Sequence, residues 1–120
     1  MSGVRLAVTG GRAFTDAYEL DWHLRGLLVD RGISVLMEPG TPGAPALARQ
    51  WGRAMGIPTV TYYRGPWQRA AKREQDTLKA KRMIERGRPD VLVAFKGGRS
   101  TAAFIALAEA AGIEVMRASA

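Results

Sequence analysis

Apolar positions along the chain follow two alternating rhythms. Short runs rich in Val, Ile and Leu read as strands over Val4–Thr9, Ile33–Met37, Thr59–Tyr63, Val91–Phe95 and Ile113–Met116. The run from Val91 to Phe95 is continuously apolar and bounded by Asp90 and Lys96-Gly97-Gly98, as expected of a strand buried on both faces. Between the strands, apolar residues recur at helical spacing. Leu20, Leu24, Leu27 and Leu28 form a stripe over 16–31, and Asp16 with Glu19 three residues later reads as a capping box. Ala46, Leu47, Trp51, Ala54 and Met55 form a second stripe that Gly56 closes as a left-handed cap. A basic helix ends at Arg86, with Gly87 and Pro89 as stop signals, and a fourth runs from Ser100 to Ala111. Trp22 and Trp51 sit within helical patterns and are expected in the core.

Strict alternation with apolar strands implies right-handed crossovers and a mainly parallel five-stranded sheet covered on both faces. The expected fold is an α/β Rossmann-like three-layer sandwich, with residues 1–120 as a single domain. A composition of 47% apolar and 24% charged residues suits a packed core.

The chain has no cysteine and one histidine, His23, which excludes disulfides, thiolate chemistry, zinc ribbons and multi-histidine metal centres. No metal or cofactor is expected. No apolar run reaches the length of a membrane span, and the first residues lack a basic flank followed by a long apolar region. The expectation is a cytoplasmic chain that begins at its first strand and has no membrane partner. Eighteen Lys and Arg against eleven Asp and Glu give a formal charge of +7. That balance favours anionic partners: phosphorylated small molecules, nucleic acid or acidic proteins. Nine of the eighteen cations lie between Arg64 and Arg88, against Glu74, Asp76 and Glu85. This segment reads either as a solvated helix face or as an electrostatic collar around an anion site, and Lys79, Lys81 and Arg82 could form part of a track for single-stranded nucleic acid.

In a parallel sheet of this kind every strand-to-helix turn lies on the carboxyl edge, where ligands bind. The residues placed there are Gly10-Gly11-Arg12 after strand one, Gly40 and Thr41 after strand two, the Arg64-Gly65-Pro66-Trp67 loop after strand three, and Lys96-Gly97-Gly98-Arg99-Ser100-Thr101 after strand four. The last turn carries the most chemistry. Paired glycines let backbone N–H groups approach a ligand, and Ser100 and Thr101 fall where a helix begins and its first N–H groups lack partners. Lys96 and Arg99 flank this anion cradle. Trp67 offers a stacking surface. The glycine spacing matches neither the dinucleotide fingerprint nor the phosphate-binding loop of triphosphatases. His23 has no evident acid or serine partner, and Glu38 is the one acid expected at the crevice.

Val8-Thr-Gly-Gly-Arg-Ala-Phe-Thr-Asp16 together with Val93-Ala-Phe-Lys-Gly-Gly-Arg-Ser-Thr101 resembles the SLOG superfamily, and within it the small YspA/YpsA-like domains. The resemblance implies a Rossmann-like domain that binds nucleotides or nucleotide-derived ligands, often as a dimer, with relatives among the LOG phosphoribohydrolases and the DNA-binding DprA proteins. Four features depart from the family pattern, one of them Lys79-Ala80 in place of the Arg-Asn ahead of the methionine, which removes a polar contact. The common Pro-Gly-Gly-x-Gly-Thr has Lys96 in place of its proline and Ser100 in place of its last glycine. The His-Gly-Gly-Ala-x-Gly-Ala-Asp turn is replaced by Glu38-Pro39-Gly40-Thr41-Pro42-Gly43-Ala44-Pro45, where three prolines delete backbone donors. The catalytic glutamate of LOG enzymes falls at Phe104, which points to binding rather than turnover. The expected function is to hold a phosphorylated nucleotide-like small molecule as a sensor or sequestering module. The alternatives are a single-stranded nucleic-acid binder and a diverged nucleotide hydrolase dependent on Glu38. Helix 100–111 is apolar nearly all round, which suggests a homodimer through that face.

Overall fold

The computed structural model describes residues 3–62 and 72–118. Strands β1 (Val4–Thr9), β2 (Ile33–Glu38), β3 (Thr59–Thr61), β4 (Val91–Ala94) and β5 (Glu114–Arg117) alternate with helices α1 (Ala17–Arg31), α2 (Ala44–Ala54), α3 (Lys72–Arg82) and α4 (Arg99–Ala110). The sheet order is β3-β2-β1-β4-β5, and every pairing is parallel. Successive strands move outward from β1 in one direction and then, from β4, in the other, so the topological switch point lies between β1 and β4.

Period-two alternation sorts the strand residues between two core layers. Leu6, Val8, Leu36, Val91 and Val93 pack with Leu20, Leu24 and Leu27 of α1 and with Ala48 and Trp51 of α2. Ala7, Val35, Met37 and Leu92 face the other way, against Ala80 and Met83 from the α3 side and Phe104 and Ala108 of α4. The result is a Rossmann-like three-layer sandwich. Burying one Leu or Val of these layers contributes roughly 1.5–3 kcal/mol.

Helix α1 begins where its sequence signal lies: Asp16 accepts a hydrogen bond from the Glu19 N–H at 2.9 Å. Its buried stripe of Leu20, Leu24 and Leu27 puts Trp22 about 200° away on the helical wheel, and Trp22 is 66% exposed. The expectation that Trp22 is a core residue is therefore corrected. Trp51 is buried, and its indole N–H donates to Asp21 at 2.9 Å, tying α2 to α1.

The end of the basic helix also differs from the sequence reading. After Arg82 the chain widens into a π-helical turn, Met83–Gly87, and the left-handed residue is Arg88, at φ 47°, and not a glycine. Gly87 is needed for close approach: a side chain there would collide with Met37 Sδ. The Arg5 guanidinium donates to Gly87 O from Nε at 2.9 Å and from an η nitrogen at 2.7 Å, clamping this turn to the amino end of β1. Helix α4 buries Thr101, Phe104 and Ala108, with small Ala102, Ala106 and Ala110 on its exposed side. Among the described residues, no helix is long and apolar enough to cross a membrane.

Candidate functional site

The turns after β1 and β4 touch. The Gly11 N–H donates to Lys96 O at 2.9 Å, and a Cβ on Gly11 would lie 3.0 Å from Gly97 Cα. A Cβ on Gly97 would lie 2.8 Å from Gly11 N and collide with Thr101 Oγ1. Gly97 has no room for a side chain, and at Gly11 one would press on the backbone of Lys96 and Gly97. Gly10 serves a different purpose. A Cβ there would lie 2.5 Å from Ala44 Cβ, so its bareness lets α2 approach the end of β1. The Ala44 N–H in turn donates to Gly11 O at 3.3 Å.

Over this floor opens a cleft of ≈ 1150 Å³, a volume suited to a small-molecule ligand. One wall is the β1–α1 loop and the first turn of α1, from Arg12 to Glu19. The other is formed by Asp76 and Thr77 of α3 and by Lys96–Thr101 with Ala103. Of the residues proposed from sequence, Gly10, Gly11, Arg12, Thr41, Lys96, Gly97, Gly98, Arg99, Ser100 and Thr101 line this cleft together. Gly40 does not; its N–H donates to Glu38 Oε1 at 2.7 Å. Trp67 and its loop lie outside the described residues.

Helix α4 enters the cleft with no side-chain cap at its N-terminus, where Gly98 is the N-cap residue. Its first N–H groups receive no side-chain cap, and Lys96, Gly98 and Arg99 all line the cleft at this end of the helix. Thr101, 5% exposed, borders the same cleft, and among the described residues its hydroxyl has no hydrogen-bond partner. A buried hydroxyl left unpaired costs about 1–3 kcal/mol, which a ligand oxygen would relieve. Arg12, Lys96 and Arg99 are exposed and have no ion-pair partner among the described residues. Three donor-only cations, an uncapped helix and two bare glycines offer donors and no side-chain acceptor, the chemistry that suits an anion.

The cleft also contains acids that the sequence reading did not place there. Asp16 is committed to capping α1, and Glu19 Oε1 lies 3.8 Å from His23 Nε2. That geometry supplies the histidine with an acidic neighbour one helical turn away, a spacing the sequence already contained. Asp76 has no partner among the described residues. Phe14 adds an aromatic surface, backed by Phe95 at a centroid distance of 5.1 Å. Asp16, Glu19 and Phe14 follow the Gly-Gly-Arg turn directly and could have been found from their position at the carboxyl edge. Asp76 could not, because nothing local says where α3 begins relative to the sheet.

Two further expectations are corrected. Glu38 is fully buried and lies outside the cleft. It accepts from the Gly40 N–H and from Thr61 Oγ1 at 2.5 Å, and Arg49 stands 3.7 Å from Oε2. Its carboxylate ties the β2 turn to β3. Lys79, placed from sequence on a basic track, is 7% exposed, and its ammonium donates to Pro39 O at 3.0 Å. It faces inward because α3 packs that side against the β2 turn, which leaves it unavailable to an external polyanion.

A search of curated proteins found no match. The model of the family described as YAcAr: YspA, cpYpsA-related SLOG family matches residues 4–69, from the start of β1 to beyond β3. That span includes Gly10-Gly11-Arg12, whereas Lys96–Thr101 lies beyond it and its role rests on the geometry above. More than half of the chain is matched, and the all-parallel sheet agrees. This chain belongs to the YspA, cpYpsA-related SLOG family.

Proposed function

We propose that this protein binds a phosphorylated, nucleotide-like small molecule at the carboxyl edge of its sheet and acts as a sensor or sequestering module. The observation that carries the reading is the uncapped start of α4, set against the touching Gly11 and Gly97, with the unpartnered Thr101 hydroxyl beneath it and Arg99 beside it. A phosphoryl group on this floor gains backbone donors, one buried hydroxyl and up to three cations. Each charge-assisted hydrogen bond contributes about 1.5–3 kcal/mol, against about 0.3–1 kcal/mol for the helix dipole, so the side chains set the affinity. Family membership supports a nucleotide-related ligand, and Phe14 offers the ligand's ring a flat apolar surface. Binding is favoured over turnover because Phe104 is buried against the sheet, Glu38 is sequestered, and Asp16 and Glu19 already have partners, which leaves Asp76 as a single carboxylate without a second acid to work with among the described residues.

Titration calorimetry with AMP tests the reading. Wild type should bind, and Arg99→Ala should weaken binding by about 10- to 100-fold, the equivalent of one charged hydrogen bond. Because the Arg99 guanidinium is exposed and unpaired among the described residues, the fold should be unaffected. Equal affinities in the two proteins would overturn the cradle.

A further inference from the structure

Adjoining the cleft is a second, much smaller space of ≈ 30 Å³, enough to admit a small polar group. It shares Gly10, Thr41, Asp76 and Ser100 with the cleft. Thr9, at the carboxyl end of β1, lines it. This residue is 4% exposed, and its hydroxyl has no hydrogen-bond partner among the described residues. Lys79 also reaches this well from α3, held there by its bond to Pro39 O, and Phe104 closes it on the apolar side.

The chemistry of the lining selects the occupant. Asp76 can only accept, an ammonium can only donate, and the Thr9 and Ser100 hydroxyls can do either. A second phosphoryl oxygen can only accept and would leave the Asp76 carboxylate without a donor. A methyl group would leave the Thr9 hydroxyl and the carboxylate desolvated and unpaired. An alcohol hydroxyl both donates and accepts, and it is small enough to enter the space. We propose that this well receives a sugar hydroxyl of the ligand, so that the site discriminates hydroxylated phosphate esters from their deoxy analogues. The inference rests on the anion cradle proposed above, because the phosphate on α4 is what brings the sugar over Thr41 and Ser100.

Calorimetric titration of the protein with inorganic phosphate, AMP and 2′,3′-dideoxyAMP separates the two ideas. AMP should bind at least about tenfold more tightly than its dideoxy analogue, the effect of one hydrogen bond to a charged group. Thr9→Val, which keeps the shape and suits a strand, should narrow that ratio while leaving inorganic phosphate affinity as in wild type; Asp76→Asn should narrow it too, and because it also removes a negative charge from the cleft it should raise phosphate affinity. Equal affinity for the two nucleotides in wild type would overturn the hydroxyl subsite and leave the cradle standing. A ratio that neither substitution narrows would place the hydroxyl elsewhere and also overturn it. Failure of phosphate and both nucleotides to bind would overturn cradle and subsite together.

Discussion

The Gly11 N–H donates to Lys96 O at 2.9 Å, joining two turns that lie 85 residues apart in sequence at one point on the sheet edge. This contact sets the floor of the cleft, and it requires bare backbone on both sides. Gly97→Ala should cost about 1–3 kcal/mol, because the new methyl meets Thr101 Oγ1 and Gly11 N in a packed site. Gly98, one residue later, has open space around the same position, and Gly98→Ala should cost less than Gly97→Ala. Urea denaturation of both variants checks the contrast, and equal stabilities would argue against a tight floor.

Glu38 provides a second test of structure against catalysis. Its carboxylate serves the Gly40 N–H and the Thr61 hydroxyl while fully buried. Glu38→Gln keeps the shape but replaces one acceptor oxygen with a donor, and stability should fall by about 1–3 kcal/mol. Ligand affinity measured well below the unfolding midpoint should change far less than in Arg99→Ala. A variant of wild-type stability that had lost binding would return Glu38 to the site.

Asp21 joins the two helices on one face of the sheet. Hydrogen bonds from Arg25 and then from the Trp51 indole hold its carboxyl below the ordinary carboxylate range. A folded-state value below the unfolded one makes a contribution that is complete above the unfolded pKa of about 4 and is lost as pH falls through the folded value. Asp21→Asn should therefore flatten the acid side of the stability profile below about pH 4. Denaturation midpoints at pH 7 and pH 3 test this, and an unchanged acid slope would refute it.

The two helical tryptophans should respond oppositely to substitution. Trp51, buried at 8% exposure, should cost about 3–5 kcal/mol when replaced by alanine. Trp22, 66% exposed, should tolerate Trp22→Ser within about 0.5 kcal/mol. Thermal unfolding of both variants measures the difference, and a large loss for Trp22→Ser would mean that its exposed face is covered in solution.

Much of this architecture was legible in one dimension. Apolar run length and glycine punctuation mark the strands to within about two residues; in β1, β2 and β4 burial on both faces demands continuous hydrophobicity, whereas the edge strands β3 and β5 are only partly buried. The cap at Asp16 and the left-handed glycine at Gly56 are local backbone chemistry and appear where the residues say they should. Trp22 was misread because an aromatic in a helical segment says nothing about its side of the wheel until the leucine phase is compared with it.

By itself the sequence determined the alternation of strands and helices, the excess of positive charge and the presence of two glycine turns that can bring bare backbone to a ligand. Those properties depend on neighbours a few residues apart. Only the tertiary structure decided that Gly11 meets Gly97, that Glu38 and Lys79 turn inward, and that Thr9, Asp76 and Ser100 border one well. Strand order and helix placement bring those groups together across tens of residues. The same side chain is a ligand contact or an internal tie depending on which element packs over it.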